Sequence, residues 1–421
     1  MSGLSERGQR PRGAKPAAEV RPEFKISAAR VAAFEILERV GATSDHSDDL
    51  LHGRRLAGMS QADKNLATTL VLGVLRWQIA LDAAVRPFLQ RPDLALASPV
   101  ATALRMGAFQ LLHLDRIPAH AALSESVELV KAAGHPHAAG MVNAVLRKVA
   151  GGTAAKPKLF ESTAAFAERL GHPRWLVERW VARYGRAAAL AICEYDQTEG
   201  GGGDLFAGVG DADDSWGMDE GSRLVAEVAA RFGVGAKRVW DACAAPGGKT
   251  KVLAERLAGA EVLATDLSAR RLEAMAARLK TGGVEVRVLA ADAARLPVVE
   301  GEFDLILCDV PCSGTGTLAR NPEIRHKLEP AELGRQAKRQ REILKAAAER
   351  LAVGGRLIYS TCSLEAEECE GVVEAVEMPG GVERVSLEGM VAEVLGERGE
   401  GLVREGYLRT LPGVGFKGDG F

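Results

Sequence analysis

The sequence predicts a chain in two parts: an all-helical N-terminal domain, then an α/β domain with a doubly wound parallel sheet. Three observations carry this expectation. From Ser27 to about Ala150 the apolar residues recur at helical spacing. After residue 217, short apolar runs alternate with amphipathic helical stretches. Between the two lies "TEGGGGDLFAGVGDADDSWG" (198–217), rich in glycine and aspartate and poor in apolar residues, which reads as a flexible loop.

Residues 1–25 mix Arg7, Arg10, Arg12, Lys15, Arg21 and Lys25 with Gly and Pro, and read as a disordered basic tail. In the helical domain (26–150), Ser27 suits an N-cap for a helix with Val31, Phe34, Leu37 and Val40 on one stripe. A second stripe runs Leu66, Leu70, Val74, Trp77, and "PVATALRMGAFQLLHL", "AALSESVELVKAAG" and "AAGMVNAVLRKVA" follow, punctuated by Pro92, Pro99, Pro118 and Pro136. Five to seven helices are expected. Residues 151–217 are read as a linker with short helices over 159–195 that ends in the 198–217 loop. In the last domain (218–421) the strand candidates are "RVWDA" (238–242), "EVLATD" (261–266), "VEVRVLAAD" (284–292), "FDLILCD" (303–309) and "RLIYST" (356–361). Helical stretches such as "KTKVLAERLAG" and "SARRLEAMAARLKTG" separate them. Alternation of this kind gives parallel strands with helices on both faces.

Composition narrows the function classes. At 421 residues, 47% hydrophobic and 26% charged, the chain has an ordinary globular mix with material for two or three domains. No apolar run approaches the ~20 residues that span a bilayer, and the N-terminus lacks the apolar core of a signal peptide. Six cysteines without framework spacing suit free thiols in a reducing cytoplasm. A net charge of −2 gives no global field for nucleic acid, so any basic surface is local.

Ligands of a doubly wound sheet sit at the carboxyl ends of its strands, and the motifs fall there. "DACAAPGGKT" (241–250) follows the first strand, where small residues and two glycines let the backbone approach a ligand. It is neither G-x-G-x-x-G nor a complete Walker A loop, since Cys243 stands where the opening glycine belongs. The second strand ends in Asp266, able to accept two ribose hydroxyls, and the third in Asp292, able to meet an adenine amino group. The ordered set fits a nucleoside cofactor without a pyrophosphate, such as S-adenosylmethionine.

The fourth strand ends in "DVPCSGTG" (309–316). There the proline fixes the turn and Gly314 and Gly316 leave room for a planar ring. The fifth ends in "STCS" with Cys362. Two cysteines, each followed by serine and each just past a strand end, point to thiol chemistry rather than core packing. Cys308 lies inside its strand and no histidine pair accompanies the cysteines, so zinc is not expected. Beside S-adenosylmethionine, a thiolate adding to C6 of cytosine makes C5 nucleophilic enough to take a methyl group. That thiol must ionise below the ~8.5 of free cysteine. A base must then remove the C5 proton, a second cysteine can serve, and Asp309 is placed to stabilise the adduct at N3. The base must be out of any helix.

These residues resemble the RsmB/Sun family of ribosomal RNA cytosine-5 methyltransferases. "CAAPGGKT", "DVPCSGTG", "RNPEIR" and "YSTCSLEAEE" stand in family order. The N-terminal helices resemble the NusB-like RNA-binding domain, with "MVNAVLRKV" the clearest echo. The resemblance implies a Rossmann-like methyltransferase sheet, S-adenosylmethionine as cofactor and RNA as partner; a monomer with no membrane or metal is expected. It implies Cys362 as nucleophile and Cys312 as the second cysteine. Cys243, Ala244, Ala245, Pro246, Gly247, Gly248 and Lys249 would hold the cofactor with Asp266, Asp292 and Asp309, and Lys249 would also face the substrate. Arg320 and Arg325 would meet RNA phosphate, continued by Arg335, Lys338, Arg339 and Arg341 on the next helix.

Three departures stand out. The family's longer segment before the cofactor loop is reduced to 198–217. Its asparagine after the Glu pair is Cys369, read as a spectator thiol. The chain stops at "GDGF", where the family continues a final strand, so either an incomplete sheet edge or a truncated gene is expected. The acidic "EAEE" is expected to start the next helix. Two other classes compete: a non-catalytic RNA-binding or antitermination-like protein retaining the shell, and an amino-methylating enzyme, which would show Asp/Asn-Pro-Pro-Tyr/Phe where this chain has "DVPC".

Overall fold

The computed structural model describes residues 26–152, 161–201, 205–206, 216–296 and 303–421. The tail at 1–25, residues 153–160 and most of the 198–217 loop lie outside the described residues.

The helical domain comprises α1 (Ala28–Ala42), α2 (Ser47–Leu51), α3 (Arg54–Ala57), α4 (Gln61–Val85), α5 (Ser98–His113), α6 (Ala119–Ala132) and α7 (Ala139–Gly151). Its core joins Leu70, Val71 and Val74 of α4 to Leu104, Met106 and Phe109 of α5 and Val142 and Leu146 of α7. The stretch Gln61–Phe88 is long and apolar enough to cross a membrane by length and composition. Its apolar side chains pack into this helical core, as a buried helix of a globular domain requires. Ser27 precedes α1 but makes no capping bond. Its hydroxyl donates to Glu125 Oε2 at 2.8 Å, tying α1 to α6.

Next come α8 (Thr163–Arg169), α9 (Arg174–Tyr184) and α10 (Arg186–Tyr195). The sequence reading placed them in a linker. They instead bury Phe166, Leu176, Trp180 and Ile192 against Leu318, Leu364 and Leu411 of the α/β domain. Each is too short to be stable alone, so tertiary packing holds it. Two residues of the expected loop are also anchored: Leu205 and Phe206 pack on Leu224 and Val228.

The α/β domain runs α11 (Glu220–Phe232), β1 (Arg238–Asp241), α12 (Gly248–Arg256), β2 (Glu261–Asp266), α13 (Ala269–Thr281), β3 (Arg287–Ala290), β4 (Phe303–Asp309), α14 (Ile324–Lys327), α15 (Pro330–Ala348), β5 (Leu351–Ser360), α16 (Glu370–Ala375), α17 (Glu388–Leu395), β6 (Val403–Arg404) and β7 (Tyr407–Leu408). The main sheet has the order β3-β2-β1-β4-β5 and is parallel throughout. Alternation along β4 sends Leu305 and Leu307 to the α11/α12 face, and Ile306 and Cys308 to the α15 face. Cys308 is thus core, as its place inside the strand suggests. The winding reverses between β1 and β4, which opens the crevice at their carboxyl ends.

Two strands differ from expectation. β3 is four residues long because Val284 and Val286 are drawn into the α13 core before pairing begins. β5 starts at Leu351, ahead of a register shift between Phe303 and Leu305. The outer edge of β5 carries no strand among the described residues, and a cavity of about 1060 Å³ runs along it, lined by Val225, Ile358, Val373 and Phe421.

"RNPEIR" fastens the two domains together. Glu323 accepts from the amide and hydroxyl of Ser47 at 3.1 and 2.9 Å. His326 Nε2 donates to Leu75 O at 2.6 Å, and Arg76 of α4 donates to Ala319 O. Arg325, expected to meet phosphate, is 2% exposed. Its guanidinium donates to the carbonyls of Arg76, Gly171, Asp196 and Leu318. Its two terminal nitrogens are spent on carbonyls inside the protein and its Nε is buried without a partner among the described residues, which corrects the RNA-contact expectation for this residue. Burial lowers its pKa to about 10, opposed by Asp196, so it stays a cation at neutral pH.

Candidate active site

Both cysteine loops leave the sheet side by side. The β4–β5 ladder ends at Asp309 opposite Ser360. Val310 N still donates to Ser360 O at 3.0 Å, but Pro311 has no N–H and stops the ladder. One residue later Cys312 points at Cys362, with their sulfurs 3.1 Å apart. Both thiols are free. The hydrogen bond with Cys312 and then burial push the Cys362 thiol well above its ordinary range, while the Lys249 ammonium pulls it down. The resting thiol is therefore protonated, contrary to the lowered pKa expected from the chemistry. The causes are the neighbouring Cys312 thiol and then enclosure by protein.

Lys249 and Asp309 form the charged pair of the crevice, 2.8 Å apart. Burial disfavours the ammonium, but the Asp309 carboxylate more than offsets it and raises the Lys249 pKa. Lys249 also donates to Ser222 Oγ at 2.6 Å and lies over the Phe421 ring at 5.0 Å. The other Asp309 oxygen accepts from Ser360 Oγ at 2.6 Å.

The loop after β1 is built for close approach. Gly247 has φ +100°, and a Cβ there would sit 2.4 Å from the Met275 side chain. Ala245–Pro246 is cis. Cys243 is half-buried and its thiol is pushed up by burial. Asp266 holds the loop by accepting from Ala245 N at 3.3 Å and Ser268 N at 2.9 Å, and Asp292 accepts from Ala294 N at 3.1 Å. Each carboxylate oxygen has a second lone pair for a hydroxyl or amino group. Asp241, fully buried, accepts from Thr250 at 2.7 Å, and burial pushes its pKa up to about 7. Its Oδ1 is an orphaned buried acceptor at the same strand end. Carboxylates at the ends of β1 and β2 and in the turn after β3, around a glycine loop, fit a cationic nucleoside ligand such as S-adenosylmethionine.

Several residues play parts the sequence did not reveal. Glu365 and Glu368 of "EAEE" do not start a helix, since α16 begins at Glu370. Glu365 accepts from Trp180 Nε1 at 2.9 Å and Arg179 Nε at 2.6 Å, pinning the cysteine loop to α9. Glu368 turns inward between the two cysteine loops. Cys369 is buried, and its thiol donates to Ser363 O at 3.2 Å, a structural bond of the cysteine loop. Gly316 serves the protein's own backbone rather than a ring. A Cβ there would lie 2.3 Å from Gly420 O and 2.9 Å from Cys362 O. Gly314 likewise faces the Ile324 side chain. "GDGF" is seated in this packing: Gly420 N donates to Gly316 O at 2.8 Å, and Asp419 pairs with Arg320. Arg320 keeps about a third of its side chain exposed. Arg335, Lys338 and Arg339 are exposed along α15 and Arg341 is half-buried, with Arg335 paired to Glu332.

Residues 234–413 match the family described as 16S rRNA methyltransferase RsmB/F, and residues 27–151 match the NusB family. A Bacillus subtilis protein named "Probable ribosomal RNA small subunit methyltransferase B" is 31% identical over 94% of this chain and 98% of its own length. The "Ribosomal RNA small subunit methyltransferase B" of Thermus thermophilus is 36% identical over 75% of this chain and 78% of its own. The crystal structure of PH0851 superposes with a TM-score of 0.66 at 20% identity, covering 94% of this chain and 98% of that one, and shares the fold.

Proposed function

Because the chain belongs to the RsmB/F family of 16S rRNA methyltransferases, we propose that it methylates C5 of a cytosine in small-subunit ribosomal RNA through a cysteine adduct. It is an S-adenosylmethionine-dependent rRNA methyltransferase. The observation that carries the finer reading is the 3.1 Å approach of Cys312 and Cys362 at the carboxyl end of the sheet. A shell kept only for binding RNA has no use for two thiols enclosed together.

Cys362 is the proposed nucleophile. Its sulfur, after giving its proton to solvent, bonds to C6 of the cytosine; the C5=C6 π pair moves to the C4–C5 bond and the C4=N3 π pair to N3, which takes a proton. The Lys249–Asp309 pair is the proton source and hydrogen-bonding partner for that edge. S-adenosylmethionine supplies an electrophilic methyl group on a cationic sulfur. Once C5 carries the methyl group, Cys312, its own proton already given to solvent, takes the C5 proton. The C5=C6 bond reforms, N3 returns its proton, and Cys362 leaves as thiolate. The loop Cys243 to Lys249, with Asp266 and Asp292, is the proposed cofactor cradle. Among the expected RNA-binding residues, Arg320 retains a surface for phosphate. The helical domain, residues 26–150, is read as the RNA-binding part.

Bisulfite sequencing of 16S rRNA from a strain lacking the gene tests this reading. One cytosine should lose its protection from conversion and regain it when the gene is restored. An unchanged protection pattern would refute cytosine C5 as the target.

A further inference from the structure

We propose that Glu368 is a positioning residue that sets the distance between the two thiols, an inference that rests on the two-cysteine reading above. Each cysteine is followed by a serine, and the two Cys-Ser pairs lie in register. The sulfurs are 3.1 Å apart, and so are the hydroxyl oxygens of Ser313 and Ser363. Glu368 sits against that hydroxyl pair and is 0% exposed. Its Oε2 accepts from both hydroxyls, that of Ser363 at 2.6 Å and that of Ser313. Its Oε1 accepts from Ser313 N at 2.9 Å and Gln340 Nε2 at 3.1 Å. Gln340 also donates to Pro311 O at 2.9 Å, and Tyr359 OH donates to the Glu368 carbonyl at 2.7 Å.

This carboxylate does what the sheet cannot. Strand pairing ends before either cysteine because Pro311 has no N–H to donate. Beyond that point the loops are joined by Gly316 N donating to Cys362 O and Leu364 N to Thr315 Oγ1, both at 2.9 Å, and Glu368 alone among these bridges the residues that directly follow both cysteines. Burying a carboxylate is unfavourable unless its oxygens are satisfied, and here both are, by donors from both cysteine loops and α15. The gain is a fixed separation of two reactive atoms on separate loops, which chemistry in two sequential steps at one base requires.

The test uses the full chain with Glu368→Ala, Glu368→Gln and Ser363→Ala. Three readouts are needed: the rate at which diamide closes a Cys312–Cys362 disulfide, followed by peptide mass spectrometry; kcat and KM for methyl transfer; and S-adenosylmethionine affinity by calorimetry. Glu368→Ala should slow disulfide closure and lower kcat by about 10- to 100-fold, with KM and cofactor affinity within about twofold. Glu368→Gln should restore most of both rates, because its amide oxygen can accept from Ser313 N while its NH₂ donates to the two hydroxyls. Wild-type disulfide closure in Glu368→Ala would overturn the proposal. If that variant does not fold, Ser363→Ala removes one clamp donor only, and unchanged closure there overturns it equally. Active Cys362→Ala together with slow closure in Glu368→Ala would refute the cysteine mechanism while leaving the clamp standing.

Discussion

Cys312 and Cys362 hold their sulfurs 3.1 Å apart although fifty positions separate them in sequence. A disulfide needs about 2.05 Å, so roughly one ångström of movement would close it. We predict that hydrogen peroxide, which takes two electrons and two protons from the thiol pair and leaves as water, abolishes methyl transfer. Dithiothreitol should restore it. Activity loss should track the Cys312–Cys362 cross-linked peptide in mass spectra. Loss of activity without that peptide would contradict the geometry.

Lys249 eases the ionisation of Cys362. The hydrogen bond with Cys312, then enclosure, raises the thiol pKa, and the Lys249 ammonium opposes them. Activity limited by thiolate formation should therefore rise with pH. In Lys249→Met the opposing charge is gone, the pKa rises further, and the rise in rate should move to higher pH. Alkylation of Cys362 by iodoacetamide across pH gives the same curve without substrate. An unshifted curve would show that Lys249 does not act on the thiol.

Arg325 should matter for stability rather than for RNA. Arg325→Ala removes one donor from each of four carbonyls at a buried junction, of which Arg76 O keeps Gln197 Nε2, and a loss of about 3 kcal/mol is expected. Urea unfolding would report it as a lower midpoint. At a temperature where the variant stays folded, the salt dependence of RNA binding should match the parent, since no phosphate contact is lost. A reduced salt slope would restore Arg325 to the RNA surface.

The sheet was legible in the sequence because parallel strands buried on both faces must be continuous apolar runs, and "FDLILCD" and "EVLATD" coincide with β4 and β2. The strand-end residues followed, since topology alone delivers Asp266, Lys249, Cys312 and Cys362 to one crevice. Other features depended on contacts between distant segments. Glu368 and Glu365 read as an acidic helix start because their partners, Ser313 and Trp180, lie 55 and 185 positions away. Arg325 read as a free basic residue because the carbonyls it holds come from four separate segments. Gly316 suggested space for a ligand, and that space is taken by Gly420 and the Cys362 carbonyl.

The central claim is that Cys362 bonds to the base and Cys312 releases it, and the Cys312→Ala chain incubated with 16S rRNA and S-adenosylmethionine tests it most directly. The account predicts a protein–RNA species that survives denaturing electrophoresis, whose cross-linked peptide maps to Cys362 and which is absent in the Cys312→Ala, Cys362→Ala double variant. Full methyl transfer by Cys362→Ala alone, or an adduct mapping to another cysteine, would contradict it.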